Sequence, residues 1–375
     1  MNTSNLILWP YKNAKKTMLH GYDDLQIVNH IGKGWVGQVF LAKTHDGKVV
    51  VIKMSKVIPR MLKPITGESW REIYFCSFVA PKYKKQLHLY TIDFKITDKC
   101  DFEHPMNENH DFFRFLKVND RKFHQALHRS SYCIMNIMPY FPSSTLRKYY
   151  EELWNFTMQK RNTGWLTRDE VSHKSFYFNK RMMYMWFIDI LKQVNLLHSI
   201  GFSHRDIHSG NILILKNCSA TLIDYGRVGS RDWGDFDSHS DIEHLFWITY
   251  CNNHLLENKR MNLIHGDDKF PIDHKYYLKC RSKFIKTPQF DDIVKLCSNV
   301  PIKYKYDIAF EIAEMQMSCN MKTLMHSEYA DQMNWSHLWL IDFDDVIYFV
   351  KHAFAHNALT DIIKHFKKRL NLIKN

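Results

Sequence analysis

The sequence predicts an α+β fold with two lobes: a small antiparallel β-sheet lobe with one helix, and a larger, mainly helical lobe. Residues 27–54 alternate apolar and polar residues on both sides of a glycine turn and of an Asp46-Gly47 hairpin signal, as antiparallel strands do. Apolar residues recur at helical spacing in residues 180–200 and again from Asp241 onward. Strands followed by helices are typical of the α+β class.

The boundaries of the two lobes follow from where these patterns change. We expect an N-terminal extension at residues 1–26, a smaller lobe at residues 27–138 and a larger lobe with a helical C-terminal region at residues 139–375. Within the smaller lobe, residues 68–79 fit a short amphipathic helix. Residues 80 to about 131 are irregular and basic, which indicates an insertion with some structure of its own.

Composition narrows the class of protein and its partners. A chain of 375 residues, 45% of them hydrophobic, is sufficient for about two domains or one two-lobed domain. Its formal charge of +13 favours anionic partners such as nucleotides, nucleic acid, acidic proteins or a membrane surface, without choosing among them. The cysteines form no C-x-x-C pair, so we expect reduced thiols in a cytoplasmic compartment. Neither a signal peptide nor a membrane span is predicted, and a monomer is the default.

The stretch IGKGWVGQVF contains the pattern G-x-G-x-x-G at Gly32, Gly34 and Gly37. A dinucleotide-binding turn needs a helix after the last glycine, whereas here an alternating strand pattern follows. Strand, turn and strand suit a flap whose backbone amides lie over phosphates. On this motif alone, a glycine-rich hairpin without a ligand is an equal alternative.

A second candidate is Lys53, which ends the apolar run VVVIK. A lysine in this position buries its stem and directs its ammonium group either to solvent or to an anion. Glu72 on the predicted helix is the preferred partner, because it follows Arg71 and precedes the apolar residues Ile73, Phe75 and Cys76. Glu68, one helical turn earlier, is the rival.

The stretch HRDIHSGNILILKNCSATLIDYG places Asp206, Asn211 and Asp224 among apolar residues. Residues 212–223 predict two short strands with a turn at Lys216-Asn217, so the chain returns and Asp224 can face Asn211. An amide oxygen and a carboxylate near phosphates make a site suited to Mg²⁺. Asp206 can then receive a proton from an attacking hydroxyl.

Taken in order, these motifs resemble those of the eukaryotic-type protein kinase superfamily. The glycine loop matches Gly32 to Val39, the V-A-I-K strand matches Val50 to Lys53, and the helical glutamate matches Glu72. H-R-D-x-x-x-x-N matches His204 to Asn211, and D-F-G stands as Asp224-Tyr225-Gly226. The resemblance runs over roughly residues 27–250.

The resemblance implies a bilobal protein-kinase-like fold that transfers the γ-phosphoryl group of ATP, with Mg²⁺, to a serine or threonine of a protein substrate. It implies catalytic roles for Lys53, Glu72, Asp206 and His208, and metal binding by Asn211 and Asp224. Nucleotide binding is expected from Ile31, Gly32, Lys33, Gly34, Trp35, Val36, Gly37, Val39, Val51, Lys53, Met138 and Tyr140. A small-molecule kinase and a pseudokinase that serves as a binding module are the alternatives.

One departure from the family pattern is His208, which stands where serine/threonine kinases carry a lysine. The pattern H-x-G-N resembles haspin-like atypical kinases and small-molecule phosphotransferases. His208 either stabilises charge on the transferred group, in a way that depends on pH, or simply hydrogen-bonds to its neighbours.

A second departure is the short segment after Asp224. Asp241 resembles the aspartate of the family's central helix that braces the catalytic loop. It comes only seventeen positions after Asp224 (241 − 224), with no A-P-E motif between them. Ser230 is the only hydroxyl well inside, so no activating phosphorylation is expected. The Lys-, Asn- and Ile-rich style resembles kinases of large DNA viruses, which would place the protein in a host cytoplasm or a virion.

Overall fold

The computed structural model describes residues 25–33, 37–56, 68–97, 133–149, 180–249, 288–324, 341–355 and 357–373. The chain divides into two compact units. The first unit comprises Met1–Pro142 and Ile223–Asp235, and the second unit comprises Ser143–Leu222 and Phe236–Asn375. Along the described ranges, no helix is both long and apolar enough to cross a bilayer.

The first unit is built on a five-stranded antiparallel sheet. Its strands are β1 (Gln26–Lys33), β2 (Gly37–Lys43), β3 (Val49–Lys56), β4 (Asp93–Thr97) and β5 (Cys133–Pro139). Their order in the sheet is β1-β2-β3-β5-β4. The turn between β2 and β3 has Gly47 at φ 78°, a left-handed conformation that glycine adopts without strain. The Asp46-Gly47 hairpin prediction is therefore confirmed.

Each face of this sheet has its own apolar cluster. One face carries the buried side chains of Ala42, Val50, Ile52 and Ile137. On the other face, helix α1 (Glu68–Tyr74) packs Trp70 and Ile73 against Phe94 and Ile134. This second cluster places α1 against the face of the sheet that also carries Lys53, because side chains alternate along a strand.

The helix predicted at residues 68–79 changes type midway. It is α-helical over Glu68–Tyr74 and then widens into a π-helix over Phe75–Val79, where the Ala80 N–H donates to the Phe75 carbonyl. A 3₁₀ turn (Ala80–Tyr83) follows. Pro81 within this turn has no N–H, so it cannot continue the α-helical ladder.

The segment predicted as an insertion contains part of the main sheet. After α2 (Lys84–Leu87), β4 pairs with β5 along its whole length, from Asp93 opposite Ile137 to Thr97 opposite Cys133. Residues 93–97 are therefore a strand of the first unit's sheet and not separate structure. Residues 98–131 of the predicted insertion lie outside the described part of the chain.

The second unit is mainly helical. Among the residues that the structure describes, its helices are α3 (Lys180–Ser199), α4 (Ser238–Thr249), α5 (Pro288–Leu296), α6 (Ile302–Leu324), α7 (Phe343–Ala353) and α8 (Leu359–Leu372). The short strands are β6 (Ser143–Thr145), β7 (Phe202–Ser203), β8 (Ile212–Leu215) and β9 (Ala220–Leu222), of which β6, β8 and β9 form an antiparallel sheet in that order. An antiparallel-sheet unit and a mainly helical unit confirm the predicted α+β class.

Helix α3 holds the β8–β9 hairpin in place through buried polar contacts. The Gln193 amide donates to the Ala220 carbonyl at 2.8 Å and accepts from the Leu222 N–H at 3.0 Å. The Trp186 indole donates to the Cys218 carbonyl at 2.9 Å. These bonds satisfy backbone groups that would otherwise be costly to bury, and they fix the strand that leads to residue 224.

A polar network joins α3, α7 and α8. The buried Asp345 carboxylate accepts hydrogen bonds from the Tyr184 hydroxyl and from Arg369 Nε, the latter at 2.9 Å. It also lies 2.8 Å from His365 Nε2. Burial alone would raise the pKa of Asp345, but the hydrogen bonds from Tyr184, Arg369 and His365 outweigh it and lower the pKa.

We expect Asp345→Ala to lower the free energy of unfolding by about 1–3 kcal/mol at neutral pH, because it leaves buried donors without a partner. Asp361→Ala on α8, which removes an exposed pair with Lys364, should cost less than about 1 kcal/mol. Because the folded pKa of Asp345 is lowered, its contribution is complete above the ordinary aspartate pKa and is lost as pH falls through the folded value. Urea denaturation at several pH values measures both effects; equal losses in the two variants would contradict the prediction.

Candidate functional site

In the first unit, one buried ammonium group joins two carboxylates. Lys53 Nζ on β3 lies 2.8 Å from Glu72 Oε2 on α1 and 2.7 Å from Asp224 Oδ1, which follows β9 in the chain. Glu72 is almost fully buried, whereas the Asp224 side chain is 42% exposed. The triad therefore has an inner carboxylate and an outer one that a ligand can approach.

The charge state of Lys53 follows from this arrangement. Burial by itself would lower its pKa, but the negative charges of Asp224 and Glu72 outweigh burial and raise the pKa above its ordinary value. Lys53 consequently stays protonated over the whole range in which proteins are assayed. A protonated ammonium group can donate hydrogen bonds to phosphate oxygens.

The backbone at Asp224 is in the left-handed region, with φ 63° and ψ 70°. An aspartate tolerates this conformation better than most residues, yet it costs free energy, and such strain concentrates at functional sites. The next residue, Tyr225, is fully buried and stacks on Phe75 with ring centroids 4.4 Å apart. This stacking anchors the strained residue to the end of α1.

Four of the residues predicted to bind a nucleotide lie on one face of the first unit's sheet. Val39 pairs with Lys53 across β2 and β3, and Val51 pairs with Met138 across β3 and β5. Cross-strand partners share a face, so these four side chains form one surface.

The other predicted nucleotide-binding residues border this surface or lie beyond the described part. Ile31 is exposed in the irregular step of β1, Gly32 pairs with Val39, and Tyr140 is exposed just after β5. Lys33 ends β1 and Gly37 begins β2. Gly34, Trp35 and Val36 lie outside the described residues, as does the Lys33 side chain.

In the second unit, Asp206 and Asn211 form a local pair. The Asn211 amide nitrogen donates to the Asp206 backbone carbonyl at 2.9 Å and to its Oδ2 at 3.1 Å. Asn211 is buried, while the Asp206 side chain is 25% exposed. With its nitrogen engaged in this way, Asn211 has its amide oxygen to offer a cation.

A buried carboxylate organises the loop that carries Asp206. Asp241 on α4 is fully buried and accepts hydrogen bonds from the His204 N–H at 2.8 Å and the Arg205 N–H at 2.6 Å. It also lies 2.9 Å from His198 Nε2. Arg205 has φ 65°, so the carboxylate secures a strained backbone directly before Asp206.

His208 is held close to the loop backbone. Its Nδ1 accepts a hydrogen bond from the Gly210 N–H at 3.0 Å, and its Nε2 lies 3.9 Å from Asp206 Oδ2. A nitrogen that accepts a hydrogen bond carries no proton, so this geometry favours the neutral tautomer with hydrogen on Nε2. A Cβ at Gly210 would lie 2.9 Å from His208 Cε1, which explains the glycine in H-x-G-N. Of the two interpretations of His208, the structure favours local hydrogen bonding.

Each unit offers a hard oxygen of the kind that Mg²⁺ prefers. Among the side chains that the structure describes, no three His, Cys, Asp or Glu lie together as metal ligands would. Mg²⁺ is commonly held by one or two protein oxygens and completed by substrate phosphates. The Asn211 amide oxygen and the Asp224 carboxylate are hard oxygens of this type.

The predicted site residues thus fall into two sets. Lys53, Glu72 and Asp224 come together in the first unit, and Asp206, His208 and Asn211 come together in the second. The sequence did not indicate Arg71 and Asp235, which form an ion pair in the first unit. The only available signal was the position of Arg71 directly before Glu72.

Comparison with known proteins supports the protein-kinase superfamily for this chain. It is 25% identical over 146 residues to the mitogen-activated protein kinase hog1 of Aspergillus clavatus, covering 33% of this chain and 37% of that protein. It is 23% identical over 146 residues to the mitogen-activated protein kinase HOG1 of Candida albicans, covering 33% and 36%. The chain therefore spans little more than a third of these curated relatives. No family model matches the chain.

The two glycines that flank the loop should respond differently to alanine. A Cβ at Gly37 would lie 2.1 Å from the Met54 carbonyl oxygen, whereas one at Gly32 would meet nothing closer than Val39 at 3.7 Å. We expect Gly37→Ala to destabilise the first unit by about 1–3 kcal/mol, because backbone must move, and Gly32→Ala to be nearly neutral. Thermal unfolding compares the two variants, and equal midpoints would refute the assigned β2–β3 register.

Proposed function

We propose that the chain is an ATP- and Mg²⁺-dependent protein kinase that transfers the γ-phosphoryl group of ATP to a serine or threonine hydroxyl. The observation that carries this proposal is the ion-paired triad of Lys53, Glu72 and Asp224. In this triad Lys53 lies between a buried carboxylate and one that is 42% exposed, on the face of the sheet that also carries Val39, Val51 and Met138. The similarity to mitogen-activated protein kinases supports the same class.

In this proposal, the first unit binds the nucleotide. Lys53 contacts phosphate oxygens while Glu72 keeps its ammonium in position, and the apolar side chains of Val39, Val51 and Met138 contact the base. Asp224 and Asn211 would hold Mg²⁺, which neutralises charge on the phosphates when bound.

The second unit acts on the acceptor. Asp206 receives the proton of the attacking hydroxyl, and the amide of Asn211 keeps the carboxylate oriented toward it. His208 has its hydrogen on Nε2, which lies 3.9 Å from Asp206 Oδ2, and can donate it to the acceptor oxygen. A positioned general base of this kind contributes about 10²–10⁴-fold to a rate.

We propose further that the acceptor is a protein and that the kinase is of a haspin-like or viral type. The similarity to mitogen-activated protein kinases favours a protein acceptor. The short segment without A-P-E and the H-x-G-N pattern keep a small hydroxyl compound as the second candidate.

The first experiment is transfer of label from γ-labelled ATP and Mg²⁺ to casein, a basic protein, a histone and small hydroxyl compounds. We expect wild-type protein to label serine or threonine of a protein, and Asp206→Asn to lose about 10²–10⁴-fold in rate. Asp224→Asn should lose activity and the Mg-dependent part of ATP binding. Asp292→Asn, an exposed surface change, should be unaffected.

Each outcome decides between the candidates. Asp224-dependent labelling of small hydroxyl compounds alone would identify a small-molecule kinase. A melting temperature that does not rise with Mg-ATP, together with no transfer, would contradict the proposal, because a bound nucleotide stabilises the folded state.

Activity should not need phosphorylation of residues 225–240. Ser230, the hydroxyl well inside this segment, is buried and its Oγ accepts from the Asp232 N–H. We expect phosphatase-treated and untreated protein to have equal rates. A large loss on treatment, reversed by rephosphorylation, would overturn this expectation.

A further inference from the structure

The segment after Asp224 is bound to helix α1 through Arg71, the residue that directly precedes Glu72. Arg71 Nη1 donates to the Val228 carbonyl at 3.0 Å and lies 2.5 Å from Asp235 Oδ2. Its guanidinium lies 5.5 Å from the centre of the Trp233 ring. We call Arg71, Val228, Trp233 and Asp235 the Arg71 clamp; all four belong to the first unit.

The clamp is well shielded, so its ion pair is more than a surface contact. The side chains of Arg71 and Asp235 are 14% and 24% exposed. Tyr74, one turn along α1, packs edge-on against Trp233 with ring centroids 5.4 Å apart. The Arg71 guanidinium pairs with a carboxylate, lies over an aromatic ring and donates to a carbonyl. These three contacts hold it in one orientation.

Asp235 is itself fixed by its own segment. Its Oδ1 accepts from the Ser230 N–H at 2.9 Å, while Oδ2 faces Arg71. Gly234, with φ 73°, makes the turn that brings the carboxylate back toward Ser230. Both carboxylate oxygens are therefore used, and the anion that Arg71 contacts is part of the unmodified chain.

Neighbouring residues of α1 thus have different partners. Glu72 contacts Lys53, and Arg71 contacts the far end of the segment that begins with Asp224. At the near end of that segment, Tyr225 stacks on Phe75. The segment is therefore tied near both of its ends to α1 and the residue that follows it, and α1 and the segment each place a carboxylate, Glu72 and Asp224, on Lys53. The clamp thus favours the arrangement in which both carboxylates contact Lys53.

We propose that Arg71 and Asp235 are positioning residues that keep Glu72 on Lys53, with the Asp235 carboxylate supplying a fixed negative charge in place of a phosphorylated side chain. This inference rests on the proposed function for its effect on rate. Its structural part, that the clamp fixes α1, holds for the protein without nucleotide and can be tested by itself.

The kinetic test compares Arg71→Ala and Asp235→Asn with Asp232→Asn, which removes the same charge from an exposed position in the same segment. We expect the first two variants to lose about tenfold or more in kcat/KM for ATP and the control to stay within twofold. Arg71→Lys, which keeps the charge but loses the planar fork, should be intermediate.

Non-additivity separates positioning from general destabilisation. If Arg71 acts through Glu72, Arg71→Ala should cost little further activity in a Glu72→Gln background. A full tenfold loss in that background would overturn the proposal, as would single variants that stay within twofold of wild type. Melting temperatures confirm that each variant is folded.

Hydrogen–deuterium exchange of nucleotide-free protein tests the clamp without any assay of activity. Residues 68–79 and 227–235 should exchange faster in Arg71→Ala and Asp235→Asn than in wild type and in Asp232→Asn. Unchanged exchange would overturn the clamp, even if the protein is an active kinase. Faster exchange in a protein without transfer activity would support the clamp while the proposed function fails.

Discussion

The first unit depends on the burial of one ammonium group. Burying the ammonium group of Lys53 costs several kcal/mol unless carboxylates compensate for the lost hydration. Glu72 and Asp224 provide this compensation at 2.8 and 2.7 Å, and each comes from a different part of the chain. The requirement to neutralise Lys53 therefore fixes where α1 and the segment after β9 must lie within the unit.

The second unit also depends on a buried charge, but there the charge is negative. Asp241 is a fully buried carboxylate whose cost is offset by the N–H groups of His204 and Arg205 and by the His198 ring. These bonds hold the strained loop from which Asp206 and Asn211 project. In the proposed reaction Asp241 does no chemistry of its own; it fixes the backbone that carries Asp206 and Asn211.

Much of the local structure could be predicted, because local signals are written in short stretches. The Asp46-Gly47 turn, the strands of residues 212–223 and the helix of residues 180–200 follow from turn chemistry and hydrophobic period. The strand of residues 93–97 did not show in the local pattern. It forms because its tertiary partner β5 supplies the hydrogen bonds.

The site shows the same division. The sequence by itself was sufficient to identify residues 53, 72, 206, 211 and 224 as candidate site residues, because their motifs are contiguous or regularly spaced. The sequence also favoured Glu72 as the partner of Lys53, and the structure places the two in contact. Only the tertiary structure decided that His208 turns back onto Gly210 and that Arg71 contacts Asp235. These contacts depend on how α1 packs and on single side-chain orientations, and no periodic pattern encodes either. The charges of Arg71 and Asp235 lie far apart in the chain, and only folding brings them together.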